Sequence, residues 1–196
     1  MPRKWLPLVI IIFALAGTIF LANPPDIILP DVDAPSGVAS APISYSTEVK
    51  ISQYDDNGDI DYNFTANKLT QFQPDPERVS EQDYTQIDSP LFTLRQTDKP
   101  PRFMEAKTGY ASGANLKQIS LHDDVRVWQT TDNEKLEELK TSELLVYLDR
   151  HMATSDKLVM MSYPGYTATG EGLIADFNLE QYRVLKNAET FHDISQ

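Results

Sequence analysis

The stretch ISYSTEVKISQYDDNGDIDYNFTA, residues 43–66, decides the fold expected for this chain. Apolar and polar side chains alternate over residues 43–52 and again over residues 59–66. A period of two places successive side chains on opposite faces of a β-strand. Residues 55–58, Asp-Asp-Asn-Gly, are typical of a tight turn, because Asn-Gly tolerates the positive φ of the primed turn types. The stretch therefore predicts an antiparallel β-hairpin, with Gly58 as a structural turn residue.

Short alternating segments recur along the rest of the chain. They cover residues 103–106, 119–127, 144–148, 158–161, 173–175 and 182–185. Short strands separated by turn residues are typical of an all-β sandwich or barrel. Pro90 predicts a bent or edge strand over residues 87–94, since proline cannot donate to a central ladder. Residues 134–148 also fit an amphipathic helix, which stays open as an alternative to a strand.

Composition excludes several classes of protein. The chain has 196 residues, a hydrophobic fraction of 41%, no cysteine and a formal net charge of −12. The length suits one domain with additional segments. The lack of cysteine excludes disulfides, thiol nucleophiles and cysteine-ligated metals. The acidic balance argues against nucleic-acid binding, which depends on clustered Lys and Arg.

The N-terminal residues predict a membrane anchor. Arg3 and Lys4 precede an uncharged, strongly apolar segment, residues 5–22. As a helix this segment is about 27 Å long, close to the hydrocarbon thickness of a bilayer. The positive-inside rule keeps residues 1–4 in the cytoplasm and exports the remainder. The alternative is a signal peptide cleaved after residues 14–16, which would leave an apolar stump on the mature chain.

The exported part divides into a tether and a domain. Residues 23–42 contain five prolines among small residues, which predicts an extended tether. Residues 43–196 form the predicted β-domain. Because Arg3 and Lys4 are the only charged residues before residue 23, the exported part carries a formal charge of −14 against −12 for the whole chain.

The sequence offers no clear catalytic or metal site. The three histidines are scattered, and hydrolase, metalloprotease and nucleotide-binding motifs are lacking. Residues 53–64 resemble a calcium loop, but Phe64 stands where a carboxylate ligand is needed. Carboxylates are numerous, so a glycosidase pair is not excluded by counting, but abundance does not favour one. No enzyme activity, metal or cofactor is therefore predicted.

One long apolar stripe is predicted on the inward faces of the strands. Its members are Tyr45, Val49, Ile51, Tyr62, Phe64, Ile87, Phe92, Met104, Ile119, Leu121, Val125, Val127 and Tyr147. The ordinary interpretation is a closed core. The alternative is an open sandwich whose interior accepts acyl chains, which suits an exported, membrane-tethered domain without catalytic motifs.

Several segments resemble the LptC family, the single-pass inner-membrane component of lipopolysaccharide export in Gram-negative bacteria. Besides the basic start and apolar helix, they are residues 54–58, 62–69, 87–94, 121–127, 139–144, 170–173 and 185–189. The tether and a polar insertion over residues 73–83 are longer than the family pattern.

The resemblance implies an open, twisted β-jellyroll of two antiparallel sheets with no catalytic site. It implies that the domain takes lipopolysaccharide from the ATP-binding-cassette transporter LptB, LptF and LptG and passes it to LptA. The N-terminal edge would pair with LptF or LptG and the C-terminal edge with LptA. The helix would pack beside LptF and LptG through Ala14 and Gly17 and restrain the transporter ATPase.

The resemblance makes the apolar stripe a lipid groove, with Ala188 near its exit. A charge of −14 opposes a phosphorylated glycolipid, so we expect affinity to come from acyl chains, helped by rim cations such as Arg95, Arg102 or Lys107. Gly172 is predicted to be a structural turn residue, and Gly58 and Gly172 are also candidates for partner contacts. The alternative function is a periplasmic scaffold that binds proteins but no lipid.

Overall fold

The computed structural model describes residues 42–75, 82–96, 99–112, 118–130 and 136–192, which form eleven β-strands. The strands are β1 (Pro42–Tyr54), β2 (Ile60–Phe72), β3 (Tyr84–Asp88), β4 (Leu91–Leu94), β5 (Arg102–Glu105), β6 (Thr108–Ser112), β7 (Gln118–Thr130), β8 (Leu136–Tyr147), β9 (Met152–Tyr163), β10 (Tyr166–Asp176) and β11 (Gln181–His192). A 3₁₀ turn, Leu148–Arg150, joins β8 to β9. No helix within these residues is long and apolar enough to span a membrane. The predicted membrane helix, with Ala14 and Gly17, and residues 23–41 of the tether lie outside them.

All the strand pairings are antiparallel, which confirms the all-β prediction. The hydrogen bonds join the strands into one path, β11-β10-β9-β8-β7-β5-β4-β2-β3-β6, with β1 on β2 and a further pairing of β6 with β7. Two separate sheets were expected, but the described strands form a single sheet. Residues 136–147 are a strand, so the helical interpretation of this segment is wrong.

The predicted β1–β2 hairpin is confirmed. Val49 pairs with Ala66 and Ile51 with Phe64, and Gly58 lies in the turn at a φ of +88°. The Asp55 carboxylate accepts hydrogen bonds from the backbone N–H groups of Asp59 and Asn57, each at 2.9 Å. These bonds hold the pKa of the exposed Asp55 carboxyl below its usual value, the Asp59 bond contributing most. The turn therefore satisfies its own backbone donors.

A line of backbone bends crosses the strands near their midpoints. Ser89 lies between β3 and β4, and Asp123 and Asp124 lie inside β7, with φ values of 53°, 62° and 53°. Backbone hydrogen bonds align these bends, from Ser89 N to Lys107 O and from Lys107 N to Asp123 O, both 2.9 Å. Register shifts continue the line through β8, β9 and β10. Bulges bend strands without separating them, which is why the sheet stays continuous.

The sheet folds over on itself along this line. Gln96 after β4 donates to the Phe177 carbonyl oxygen at 3.1 Å and to Asn178 Oδ1 at 2.9 Å, just after β10. In the hydrogen-bonded path β4 and β10 are five strand spacings apart, which is about 24 Å in a flat sheet. His151 Nε2 and Asp61 Oδ1 approach to 3.4 Å across the same fold. The architecture is therefore jellyroll-like, with the apolar faces turned inward.

Gly172 lies inside β10 rather than in a turn, which corrects the prediction for this residue. Its φ is +76°, and the pairing of β10 with β9 shifts register between Glu171 and Leu173. Gly170, two residues earlier, permits a close approach of β11, since a Cβ at this position would lie 2.3 Å from Val184 Cγ1. Both glycines thus serve the bend of β10.

Candidate functional site

Most of the predicted groove residues form a closed core. Eight of them are exposed by 4% or less: Phe64, Ile87, Phe92, Met104, Ile119, Leu121, Val125 and Val127. The Phe64 and Phe92 ring centroids are 4.7 Å apart, and those of Tyr62 and Phe92 are 6.4 Å apart. Such packing leaves these side chains in contact with one another, as in an ordinary protein interior.

The other predicted groove residues lie in different surroundings. Val49, Ile51 and Tyr62 are partly buried and pack against the core. Tyr147 is half-buried beneath Arg150, whose guanidinium carbon is 5.5 Å from the ring centroid, and Ala188 is exposed on β11. Tyr45 is 71% exposed. Its predicted place in the apolar interior is wrong, because residues 42–48 of the terminal strand β1 are all exposed.

An open cleft of about 580 Å³ adjoins the core. It is lined by Pro100, Arg102, Gln129, Glu137, Met161, Tyr163, Tyr166, Ala168, Glu180 and Tyr182. A small recess continues from it to the core residues Val127 and Leu139. Tyr163 of β9 lies on one side of the bend line, and Tyr182 of β11 pairs with Ala175 on the other side. Residues from both sides of the line therefore meet around one space.

Tyrosines form much of the apolar lining of the cleft. The Tyr163 and Tyr166 rings stack with centroids 4.8 Å apart, and Tyr182 meets Phe177 edge-on at 6.5 Å. Burial raises the pKa of the Tyr163 hydroxyl far above its usual value, and Tyr182, Tyr166 and Glu137 add to this increase while Arg102 opposes it. Burial likewise raises the pKa of Tyr182. Both hydroxyls are therefore protonated hydrogen-bond donors at neutral pH.

Arg102 is the buried cation of the cleft. Arg102 is 6% exposed, and its guanidinium lies over the Phe177 ring, 5.0 Å from the ring centroid. Arg102 Nη1 donates to the Phe177 carbonyl oxygen at 3.3 Å, and Nη2 donates to Gln129 Oε1 at 2.7 Å. Gln129 Nε2 in turn donates to Glu137 Oε2 at 2.8 Å. The side chains thus form a polar wall beside the tyrosines.

The other predicted rim cations lie elsewhere. Arg95 is exposed, and Lys107 is paired with Asp124 at 2.5 Å in a second, outward-facing groove. That groove contains the exposed apolar side chains Leu158 and Met160. Of the three suggested cations, Arg102 is the one at the cleft.

The sequence did not indicate the tyrosine cleft. Tyr163 and Tyr166 flank the Pro164-Gly165 turn, and this spacing on a hairpin could have suggested two stacked rings. Their meeting with Arg102 and Tyr182 depends on the folding of the sheet. Within the described residues, no group of three or more His, Asp or Glu side chains is placed to hold a metal ion.

The fold and the cleft define an antiparallel, jellyroll-like β protein with a partly apolar binding cleft inside a folded sheet. The family model described as lipopolysaccharide-assembly, LptC-related, matches residues 9–193, and the chain belongs to this family. A search of curated protein sequences gave no significant match. Members of the family are transport components of the Lpt bridge at the inner membrane and are not known as enzymes, so this protein has a role in lipopolysaccharide transport.

Proposed function

We propose that this protein is a non-enzymatic lipopolysaccharide relay. It accepts lipopolysaccharide from the transporter LptB, LptF and LptG and passes it to LptA across the periplasm, towards the outer membrane. The family match over residues 9–193 carries this proposal. The cleft of about 580 Å³ supports it, because its tyrosine rings offer apolar surface for a lipid beside the core and its few polar groups can orient a headgroup.

The proposed membrane topology follows the sequence. Residues 1–4 are cytoplasmic, residues 5–22 span the inner membrane, residues 23–42 form the tether and residues 43–196 form the periplasmic domain. Ala14 and Gly17 provide a small-residue face for packing against LptF and LptG. Through this contact the helix restrains the transporter ATPase.

The proposed acyl-chain site is the cleft rather than the whole predicted stripe. Tyr163, Tyr166 and Tyr182 offer partly exposed apolar surface, whereas the predicted residues around Phe92 are packed closely. Acyl chains lie beside the tyrosines, next to the core residues Val127 and Leu139. The domain's net negative charge opposes the phosphorylated cargo, which suits a protein that must also release it.

Photo-crosslinking in vesicles tests the relay. We replace Tyr163 or Tyr182 with a photoreactive phenylalanine, which conserves the ring, and supply LptB, LptF, LptG, lipopolysaccharide and ATP. Tyr54, a tyrosine 55% exposed at the end of β1, is the matched control position. We expect ATP-dependent lipopolysaccharide adducts at Tyr163 and Tyr182 and background adducts at Tyr54.

The second candidate function is a scaffold that binds protein partners but no lipid. The observation that favours it is the close packing of the predicted groove, where Ile87, Met104 and Leu121 are 0% exposed. Lack of lipid adducts at both cleft positions, in a folded protein that still binds the transporter, would contradict the relay and support the scaffold.

A further inference from the structure

Arg102 is buried, and no carboxylate of the described residues forms an ion pair with it. None of the ion pairs among the described residues includes Arg102, whereas Arg126, for comparison, contacts both Glu105 and Glu138. A guanidinium has five N–H donors. Within the described part of the chain, Arg102 uses one on the Phe177 carbonyl oxygen and one on Gln129. A buried cation is costly unless an anion or hydrogen-bond acceptors compensate it, so an anionic ligand in the cleft would stabilise Arg102.

The surroundings of Arg102 fix its direction. The Phe177 ring covers one face of the guanidinium, and the Gln129 amide separates the guanidinium from Glu137. Tyr163 and Tyr182 line the same cleft, and the charge of Arg102 lowers the pKa of both hydroxyls against the larger increase from burial. Arg102, Tyr163 and Tyr182 also line the same small recess, so the two tyrosine donors and the guanidinium border one space.

We propose that Arg102, with the hydroxyls of Tyr163 and Tyr182, binds a phosphate group in the cleft. A guanidinium fork suits phosphate because two parallel N–H donors can contact two of its oxygens. The inference rests on the proposed relay, in which the phosphate belongs to the lipid headgroup; inorganic phosphate is the other source of the same chemistry. Glu137 and Glu180 also line the cleft and limit the attraction, which favours release of the ligand.

Lipid-binding measurements on the full chain in nanodiscs test this site. The probes are hexa-acylated lipid A with its phosphates, the same lipid after their removal, and inorganic phosphate. For the unaltered protein we expect roughly tenfold tighter binding of the phosphorylated lipid, the effect of one charge-assisted contact. Arg102→Gln should abolish this preference, measured as the ratio of the affinities for the two lipids, whereas Arg102→Lys should retain part of it.

Arg95→Gln is the matched control, because Arg95 is an exposed arginine directly after β4, the strand that pairs with the strand of Arg102. It should leave the preference intact. Competition by inorganic phosphate would show that the site accepts phosphate in general, and a preference that resists competition would assign the site to the lipid headgroup.

Two results overturn the inference. Equal binding of both lipids by the unaltered protein, or a preference that survives in a folded Arg102→Gln variant, removes the phosphate site but leaves the relay. Failure of the unaltered protein to bind either lipid contradicts the relay itself and the site with it. If Arg102→Gln does not fold, Arg102→Lys decides, and a preference in that variant equal to that of the unaltered protein overturns the inference.

Discussion

Glu138 on β8 illustrates how one charged residue links adjacent strands through ion pairs. Its carboxylate accepts hydrogen bonds from Arg126 on β7 and from Lys140, the latter at 2.7 Å. Arg126 also approaches Glu105 on β5 at 3.6 Å and covers the Trp128 ring. Burial raises the pKa of the Glu138 carboxyl, but the bonds from Lys140 and Arg126 outweigh it and the pKa is lowered overall. The ionised form of Glu138 therefore stabilises the fold.

The lowered pKa of Glu138 predicts a pH-dependent contribution to stability. A carboxyl whose pKa is lower in the folded state stabilises the protein above its unfolded pKa, and the contribution is lost as the pH falls through the folded pKa. We expect Glu138→Gln to lower the urea midpoint at pH 7, and the difference from the unaltered protein to shrink below about pH 4.5. Urea unfolding at a series of pH values measures this.

Glu171→Gln serves as the control for this pH series, because Glu171 is exposed on β10. Its urea midpoint should follow that of the unaltered protein throughout. A Glu138→Gln difference that stays constant from pH 7 to pH 3 would contradict the role of the ionised carboxylate.

At the scale of elements, the connection between β10 and β11 holds the fold closed. Phe177 is 1% exposed, and its carbonyl oxygen accepts hydrogen bonds from Gln96 and Arg102. The Phe177 N–H donates to the His151 carbonyl oxygen at 2.9 Å, and Lys99 pairs with Glu180 at 3.0 Å. This short connection thus contacts segments before β5 and after β8.

Truncation of Phe177 should therefore loosen the closure of the sheet. We expect Phe177→Ala to lower the free energy of unfolding by about 3–5 kcal/mol, because a buried ring leaves a cavity. Leu179→Ala, in the same connection but 64% exposed, should change it by less than about 0.5 kcal/mol. Denaturant unfolding measures both, and similar values for the two variants would contradict the closing role of Phe177.

The strand β8 shows why a strand that contains a bulge is difficult to recognise from its sequence. Leu139 and Thr141 are buried before the bend, and Leu144, Val146 and Leu148 are buried after it. The register shift between Thr141 and Leu145 changes the phase of the alternation by one residue. Because of this change, successive buried residues are spaced by two positions along each half of the strand and by three positions across the bend. A spacing of three resembles the period of an amphipathic helix.

At the scale of the whole molecule, the first and last described strands, β1 and β11, lie at edges of the sheet. In the described residues β1 pairs with β2 and β11 with β10, and each has one free edge. Tyr45 on β1 and Phe191 on β11 are 71% and 57% exposed. Free edges with exposed aromatic side chains are suited to strand addition by partner proteins.

Photo-crosslinking at these edges tests the order of the proposed relay. A photoreactive phenylalanine in place of Tyr45 should capture LptF or LptG, and one in place of Phe191 should capture LptA. Tyr110, half-buried on the internal strand β6, is the control position and should capture neither. Adducts of LptA at Tyr45, or of LptF or LptG at Phe191, would contradict the proposed direction.

The sequence by itself determined the all-β class, the first hairpin and part of the core. These depend on local alternation, turn chemistry and the burial of apolar residues, which are readable from neighbouring positions. The eight fully buried stripe residues, from Phe64 to Val127, were identified in this way. The exposed Tyr45 was not, because alternation does not reveal where a terminal strand extends beyond the core.

Only the tertiary structure decided where the cleft lies and what it contains. Arg102, Gln129, Tyr163 and Tyr182 come from four different strands, and they meet because the bends fold one continuous sheet over itself. No local sequence pattern predicts the bends, or the contact of Gln96, after β4, with the β10–β11 connection. Whether an apolar stripe is a packed core or a cleft depends on how two distant faces fit together, and that is a property of the folded sheet.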